Sequence, residues 1–389
     1  MAEEAVQPFR CDVPDEVIAD LHDRLDRTRW PDQLPDADWD YGTELSFLRA
    51  LCDHWRHDFD WRAAEARFNA FPQFMTEIDG EQVHFYHIRS PEPDAVPLII
   101  THGYPGSVAE FLDILGPLTD PVAYGGNRRD AFHVVAPSIP GYGFSGPTRQ
   151  RGFNIARAAK VNLRLMERLG YDRYIAQGGD WGSGISTAMA AMQPERLIAL
   201  HLNFIVGFPA DPANPLEGLT EKEKAAVAWK ENYDLHEHGY RIIQSTKPQS
   251  LAYGLTDSPV GLAAWVVEKF KTWSDCGGNV ETSFSKDQLL ENIMLYWVTG
   301  TINSAMRLYY EGNGPGRAPS QLAKVNVPTG YAFFPAEIRP TPRAWANQIY
   351  TNIVRWTEMP KGGHFAAFEQ PTAFVDELRA FVREFRSGR

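Results

Sequence analysis

The sequence predicts an α/β fold: a mostly parallel sheet with helices on both faces, preceded by a helical segment and interrupted by a helical insertion. Two observations carry the prediction. Between residues 97 and 203, short apolar runs alternate with segments of helical periodicity, which is the pattern of a parallel sheet covered on both faces. From 205 through 310 that alternation stops and the residues read as helical, and strand signals resume at 324.

Taken in order, residues 1–75 read as helical. Val17, Ile18, Leu21 and Leu25 recur at helical spacing after Asp12-Val13-Pro14-Asp15, and Leu45, Leu48, Cys52 and Trp55 repeat the pattern behind Thr43, a candidate N-cap. Asp79-Gly80 joins 74–78 to 82–88 as a β-hairpin. Strands follow at 97–101, 132–136, 174–177 and 197–203, with helices at 108–115, 155–169 and 185–192. After the insertion, strands are expected at 324–334 and 353–358 and a closing helix over 372–385. The chain thus divides into a helical N-terminal segment (1–75), a first part of the core (76–205), a helical lid (206–318) and a second part of the core (319–389). Ligands of open α/β sheets bind at the carboxyl ends of the strands, so a lid there buries its substrate.

Bulk properties narrow the function. A formal net charge of −12 over 389 residues disfavours nucleic acid and anionic membrane surfaces, both of which require clustered Lys and Arg. Cys11, Cys52 and Cys276 are far apart and never spaced as a zinc site, which fits buried thiols in a reducing cytoplasm. The start, Met1-Ala2-Glu3-Glu4-Ala5, is acidic where a signal peptide would be basic, and apolar runs such as 97–100 and 262–267 are far too short to span a membrane. A soluble protein is expected.

Gly178-Gly179-Asp180-Trp181-Gly182 follows a short apolar strand and precedes a helix rich in Ala and Met. This is the nucleophile-elbow pattern of α/β-hydrolases, with Asp where Ser usually stands. It also fits a Gly-rich strand–helix loop with Asp180 as a helix N-cap. No serine occupies an equivalent place, since Ser145 follows a Pro-rich turn and Ser186 falls inside the predicted helix. A carboxylate nucleophile attacks an sp³ carbon and leaves an alkyl ester, whose hydrolysis needs a water activated by a base. His364, in Lys361-Gly362-Gly363-His364-Phe365 after the last predicted strand, fits that base, and Glu337 follows the preceding strand in the order expected of its acid partner. Backbone N–H groups of Tyr104, in His102-Gly103-Tyr104-Pro105, and of Trp181 fit an oxyanion hole, although the former segment equally fits an ordinary turn.

These residues resemble epoxide hydrolases of the microsomal and juvenile-hormone type, and the resemblance runs over nearly the whole chain. Its carriers are Thr28-Arg29-Trp30-Pro31, His102-Gly103-Tyr104-Pro105-Gly106-Ser107, Gly179-Asp180-Trp181-Gly182, Asp257-Ser258-Pro259-Val260-Gly261-Leu262-Ala263-Ala264 and Gly362-Gly363-His364-Phe365-Ala366-Ala367. The resemblance implies an N-terminal domain that wraps core and lid, Asp180 as nucleophile, His364 as base and Glu337, in Phe334-Pro335-Ala336-Glu337, as acid. It also implies that two lid tyrosines hold the epoxide oxygen: Tyr240, in His238-Gly239-Tyr240, and Tyr309, in Arg307-Leu308-Tyr309-Tyr310-Glu311, with Tyr310 as the fallback. The substrate is then a small apolar or aromatic epoxide, the product a vicinal diol, and no cofactor or metal takes part.

Membrane-bound members carry an N-terminal anchor helix that this sequence does not show, and a homo-oligomer is compatible with it. Bacterial members act in secondary-metabolite pathways, enediyne antibiotics among them, or on xenobiotic and styrene-like epoxides; the composition fits a GC-rich producer. The nearest rival is a haloalkane or haloacid dehalogenase, with the same nucleophile and base but N–H donors for a halide. A non-catalytic ligand-binding homologue is the rival of another class, and it lacks the expected sign, loss of a triad member.

Overall fold

The computed structural model describes residues 5–316 and 323–386. Its strands are β1 (Gln7–Phe9), β2 (Gln73–Ile78), β3 (Glu81–Ile88), β4 (Val96–Thr101), β5 (Phe132–Pro137), β6 (Tyr174–Gly178), β7 (Leu197–Leu202), β8 (Thr329–Phe333) and β9 (Ile353–Glu358). They form one sheet in the order β1-β2-β3-β5-β4-β6-β7-β8-β9. The first three strands and β5 pair antiparallel, whereas β5, β4 and β6 through β9 run parallel. Leu98, Ile99, Ile100, Val134, Val135, Ile175 and Leu200 are fully buried, as the strands of a sheet covered on both faces must be. The hairpin turn is closed by Asp79 and Gly80, both at positive φ, which a two-residue turn matched to the strand twist demands.

The N-terminal helices are α1 (Asp15–Asp26), α2 (Leu45–His57) and α3 (Trp61–Phe68); those flanking the first core strands are α4 (Leu112–Thr119), α5 (Ile155–Arg168) and α6 (Asp180–Met192). Between β7 and β8 stand α7 (Glu221–Glu237), α8 (Gly239–Thr246), α9 (Pro248–Asp257), α10 (Pro259–Thr272), α11 (Lys286–Thr299) and α12 (Ile302–Asn313). The short α13 (Arg343–Ala346) and α14 (Ala366–Glu369) and the closing α15 (Pro371–Arg386) complete the order. The N-terminal helices are tied to the insertion by Arg24 on Asp257, by His54 on Asp287 and by the Trp55 indole N–H on the Met294 sulfur at 3.3 Å.

Several expectations shift. Residues 1–75 are not wholly helical: β1, too short to show alternation, pairs antiparallel with β2. Thr43 does not cap α2; Glu44 does, accepting from the Ser46 and Phe47 N–H groups, while the Thr43 hydroxyl donates to the Ala264 carbonyl. The helix expected over 108–115 is a 3₁₀ turn, Val108–Phe111, held by the Ser107 side chain, and α4 follows it. The strand expected over 324–334 contracts to β8, because Pro328 offers no N–H to a ladder and leaves Val325 as an isolated bridge to Tyr350. The helix expected from 185 starts at Asp180. The expected boundary at 318/319 lies outside the described residues. Among the described residues no helix is long and apolar enough to cross a membrane.

Candidate active site

Four strand ends converge on one spot. Asp180 follows β6 after one glycine, Tyr104 follows β4, Glu337 follows β8 and His364 follows β9, all at the carboxyl edge of the parallel sheet. Asp180 holds φ at +45°, a strained setting for a residue with a Cβ, and one that lifts its carboxylate out of the turn between β6 and α6. Glycine is required both in its own turn and in the loop that faces it. A Cβ on Gly182 would overlap the Thr101 carbonyl, and one on Gly103 would overlap the Asp180 side chain itself.

The Tyr104 backbone N–H donates to Asp180 Oδ1 at 2.7 Å, and the Trp181 N–H donates to the same carboxylate. His364 places Nδ1 at 2.9 and 3.1 Å from the two oxygens of Glu337. Its Nε2 lies 3.6 Å from Asp180 Oδ2. The His364 main chain is fixed by donating to the Trp273 carbonyl at 2.9 Å, so the insertion helps to place it. The loop bearing Tyr104 is fixed from α11 too: Asn292 donates to the Pro105 carbonyl at 2.8 Å and Tyr296 to the Gly106 carbonyl at 2.7 Å.

Tyr240 on α8 and Tyr309 on α12 meet above the carboxylate. Their rings lie edge to face at 5.9 Å and their hydroxyls share a hydrogen bond. Tyr309 also packs on Trp181 at 4.7 Å, so it is Tyr309 and not the half-buried Tyr310 that faces the site. The predicted residues are therefore all brought together. Ser145 and Ser186 are used elsewhere, donating to the carbonyls of Ser138 and Gln177. His102, buried and held between the Gly103 carbonyl and the Ile139 N–H, is a structural neighbour of the loop.

Three groups near the centre are absent from the sequence-level expectation. Glu110 is buried in the 3₁₀ turn, its carboxyl folded against Gly106. With Asp180, His364, Gln177 and Asn203 it lines a cavity of about 20 Å³, enough for one water. Trp265 on α10 donates its indole N–H to the Tyr104 hydroxyl at 2.7 Å. Trp273 packs between Tyr240 and His364, at 5.1 and 5.0 Å. The local signal for Glu110 is faint: one acidic residue inside the apolar run Val108-Ala109-Glu110-Phe111-Leu112.

Burial raises the Asp180 carboxyl above its usual range, against the pull of His364 and of the two backbone N–H groups. For His364, burial alone would favour the neutral ring, but Glu337 on Nδ1, with Asp180 and Glu110 nearby, raises it to about 9. Glu110 is pushed up to about 8 by burial, with Asp180 adding to the effect and His364 opposing it, so it is a neutral acid at neutral pH. At neutral pH the resting His364 is therefore an imidazolium, facing Asp180. Chemically the site offers a poised oxygen nucleophile, two backbone N–H donors on its carboxylate, two phenols above it and a buried His–Glu pair behind it.

The model "Epoxide hydrolase N terminus" matches residues 6–111, and the model "alpha/beta hydrolase fold" matches residues 96–243. The chain is 45% identical, over 98% of its length and 86% of the relative's, to a Stigmatella aurantiaca protein whose name provisionally assigns it to the epoxide hydrolases. It is 40% identical to epoxide hydrolase 1 of Sus scrofa over 98% of this chain and 89% of that one. The crystal structure of juvenile hormone epoxide hydrolase from the silkworm Bombyx mori superimposes with a TM-score of 0.89 at 31% identity, covering 98% of this chain and 95% of that chain.

Proposed function

The chain belongs to the epoxide hydrolase family that carries the family's own N-terminal segment, and from that premise we propose how its residues turn an epoxide and water into a vicinal diol. Asp180 Oδ2 attacks one epoxide carbon in line with the C–O bond, which breaks and leaves its electron pair on oxygen. Tyr240 and Tyr309 donate to that oxygen, and it takes a proton from the pair. The result is an alkyl ester on Asp180, with Oδ1 still held by the Tyr104 N–H. His364, oriented by Glu337, then takes a proton from a water that attacks the ester carbon. His364 has by then passed its resting proton to the tyrosine pair. The tetrahedral oxyanion forms at Oδ1, and collapse releases the diol with the second water proton on its ester oxygen. The first water proton leaves His364 an imidazolium, as at the start.

The observation that carries this reading is that Asp180 presents its two oxygens to different partners, Oδ1 to the Tyr104 N–H and Oδ2 to the His364 side. Forming the ester also removes the Asp180 charge, one of the causes that keep His364 protonated. Alkylation thereby converts an imidazolium into a base when a base is needed. The water site we assign is the cavity beside Glu110, whose neutral carboxyl can hold a water against His364 Nε2.

We assign residues 206–318 the role of the lid, since α8 and α12 supply both phenols. An apolar or aromatic epoxide suits the aromatic surroundings of the site, where Trp181 packs on Tyr309 and Trp273 and Phe204 pack on His364. The three free thiols are all buried, which supports a reducing cytoplasm as the compartment. The test is to mix the protein with styrene oxide and with a haloalkane, using Asp180→Ala as control, and to measure diol and halide. Diol without halide, lost in the variant, is expected; halide release would transfer the site to dehalogenation.

A further inference from the structure

Lysine is seldom buried, because its ammonium is strongly hydrated. Lys269 on α10 is nevertheless only 4% exposed. Its Nζ is paired with Glu268 at 2.5 Å and lies over two aromatic rings, 4.7 Å from the centre of Tyr240 and 5.7 Å from that of Trp273. Neither ring is incidental: one belongs to a phenol assigned to the epoxide oxygen, and the other packs on His364.

Helical spacing explains how the lysine comes to be there. Trp265, Lys269 and Trp273 are four residues apart and share one face of the helix end. Each reaches a different part of the site: Trp265 the Tyr104 hydroxyl, Lys269 the Tyr240 ring, and Trp273 the His364 ring. The stripe is a rigid strut between lid and core, and its middle member carries a charge.

That charge bears on the first chemical step. As the epoxide C–O bond breaks, oxygen gains negative charge and draws on the phenol proton, so Tyr240 acquires phenolate character spread over its ring. A cation on the ring face is attracted by the neutral phenol and more strongly by the charged one. An interaction that strengthens on the way to the transition state accelerates the step, rather than merely tightening binding. Burial and the Asp180 charge oppose ionisation of Tyr240 while Arg241 favours it, and a cation seated on the ring face adds to that compensation.

We propose that Lys269 is a positioning residue for epoxide opening: fixed by Glu268 on the face of Tyr240, it holds that phenol in place and stabilises the charge the phenol takes on. The proposal rests on the reading of Tyr240 as an oxygen donor.

The experiment separates the two steps. Enzyme in excess is mixed with styrene oxide, quenched at intervals, and the ester on the Asp180 peptide is followed by mass spectrometry as it forms and decays. Lys269→Met is expected to slow ester formation roughly ten-fold and to leave its decay at the wild-type rate. Lys269→Arg, which keeps the cation, is expected to restore formation. In a Tyr240→Phe background, Lys269→Met should add no further loss. Normal ester formation in Lys269→Met, equal slowing of both steps, or the same loss with Phe at 240 would each overturn the proposal. Should the Met variant not fold, Lys269→Gln carries the same expectations. If Tyr240→Phe alone reacts at the wild-type rate, the assignment of Tyr240 falls and Lys269 with it; if only the lysine variants behave normally, Lys269 alone is wrong.

Discussion

Tyr104 donates its backbone N–H to Asp180 Oδ1 at 2.7 Å, so a donor that would hold an oxyanion already holds one oxygen of the resting nucleophile. Only the other oxygen is free to attack. Hydrolysis then takes place at the ester carbon, and the oxygen delivered to the diol comes from Asp180, not directly from water. A single turnover in ¹⁸O-water, with enzyme in excess, should give unlabelled diol and place the label in the Asp180 carboxylate. Label in the first-turnover diol would mean that water attacks the epoxide itself and would remove Asp180 from the nucleophile's role.

His364 is bound at Nδ1 by Glu337 and faces Asp180 with Nε2. Replacing it with Gln should leave alkylation nearly intact and slow ester hydrolysis roughly a thousand-fold, so that the Asp180 peptide accumulates one substrate mass. Full turnover with no accumulated adduct would show that another group activates the water. Titration gives a second check. The resting imidazole is raised to about 9, in part by the Asp180 charge. Because the ester lacks that charge, the single-turnover hydrolysis rate should rise with pH through a midpoint below the imidazole midpoint read by NMR in the free enzyme. Coincident midpoints would mean that alkylation does not switch the base on.

Glu110 lines the small cavity next to His364 and Asp180, and its Ser107 N–H partner lies in the same turn. If its carboxyl holds the water, Glu110→Ala should slow ester hydrolysis roughly ten- to a hundred-fold through lost orientation, with alkylation unaffected. Glu110→Gln, which is neutral as the buried acid is, should retain much more. A Gln variant as impaired as the Ala variant would indicate that the charge of Glu110, not its place, is what matters.

Tyr240 and Tyr309 share a hydrogen bond above the carboxylate. Each Tyr→Phe change should slow alkylation, and the double change roughly a hundred-fold or more, with hydrolysis of the ester formed unchanged. Rapid-quench measurement separates the steps, and a double variant alkylating at the wild-type rate would put the oxygen's proton donors elsewhere.

The parts of the site legible in the sequence are those with local rules. A strand followed by Gly179-Asp180-Trp181-Gly182 can be read because the turn tolerates only small neighbours, and Glu337 and His364 can be read from their places after successive strands. Tyr240 and Tyr309 are chosen by family resemblance alone, since nothing local separates them from 13 other tyrosines. Glu110 and Lys269 are hidden for a physical reason. A charged residue in an apolar helical stretch reads as its solvent face, and only the packing of the insertion against the strand ends reveals that both are buried. The start of α6 at Asp180 is missed similarly: Gly182 and Gly184 weaken the helical signal, yet the contact of Gly182 with the Thr101 carbonyl makes glycine necessary there.

His201, on β7, is fully buried against Phe374 and Phe381, and neither ring nitrogen has a hydrogen-bond partner among the described residues. Burial holds it neutral, lowering it to about 4, with Glu377 opposing the shift and Arg355 adding to it. The unfolded chain binds this proton more readily, near the ordinary histidine value of about 6.5. Between those two values the unfolded state holds more protons than the folded one, so stability falls as pH drops through about 6.5 and continues to fall until about 4. His84, lowered to about 3, and His102, lowered to about 4, act in the same direction. Replacing His201 with Phe removes one of these contributions without emptying the space, since its neighbours are aromatic. The variant should therefore lose less Tm than the wild type when pH is lowered from about 7 to about 5, by a few degrees, while the two are similar at neutral pH. Parallel Tm curves across that interval would show that His201 takes up its proton in the folded protein, and that the strand accommodates an imidazolium.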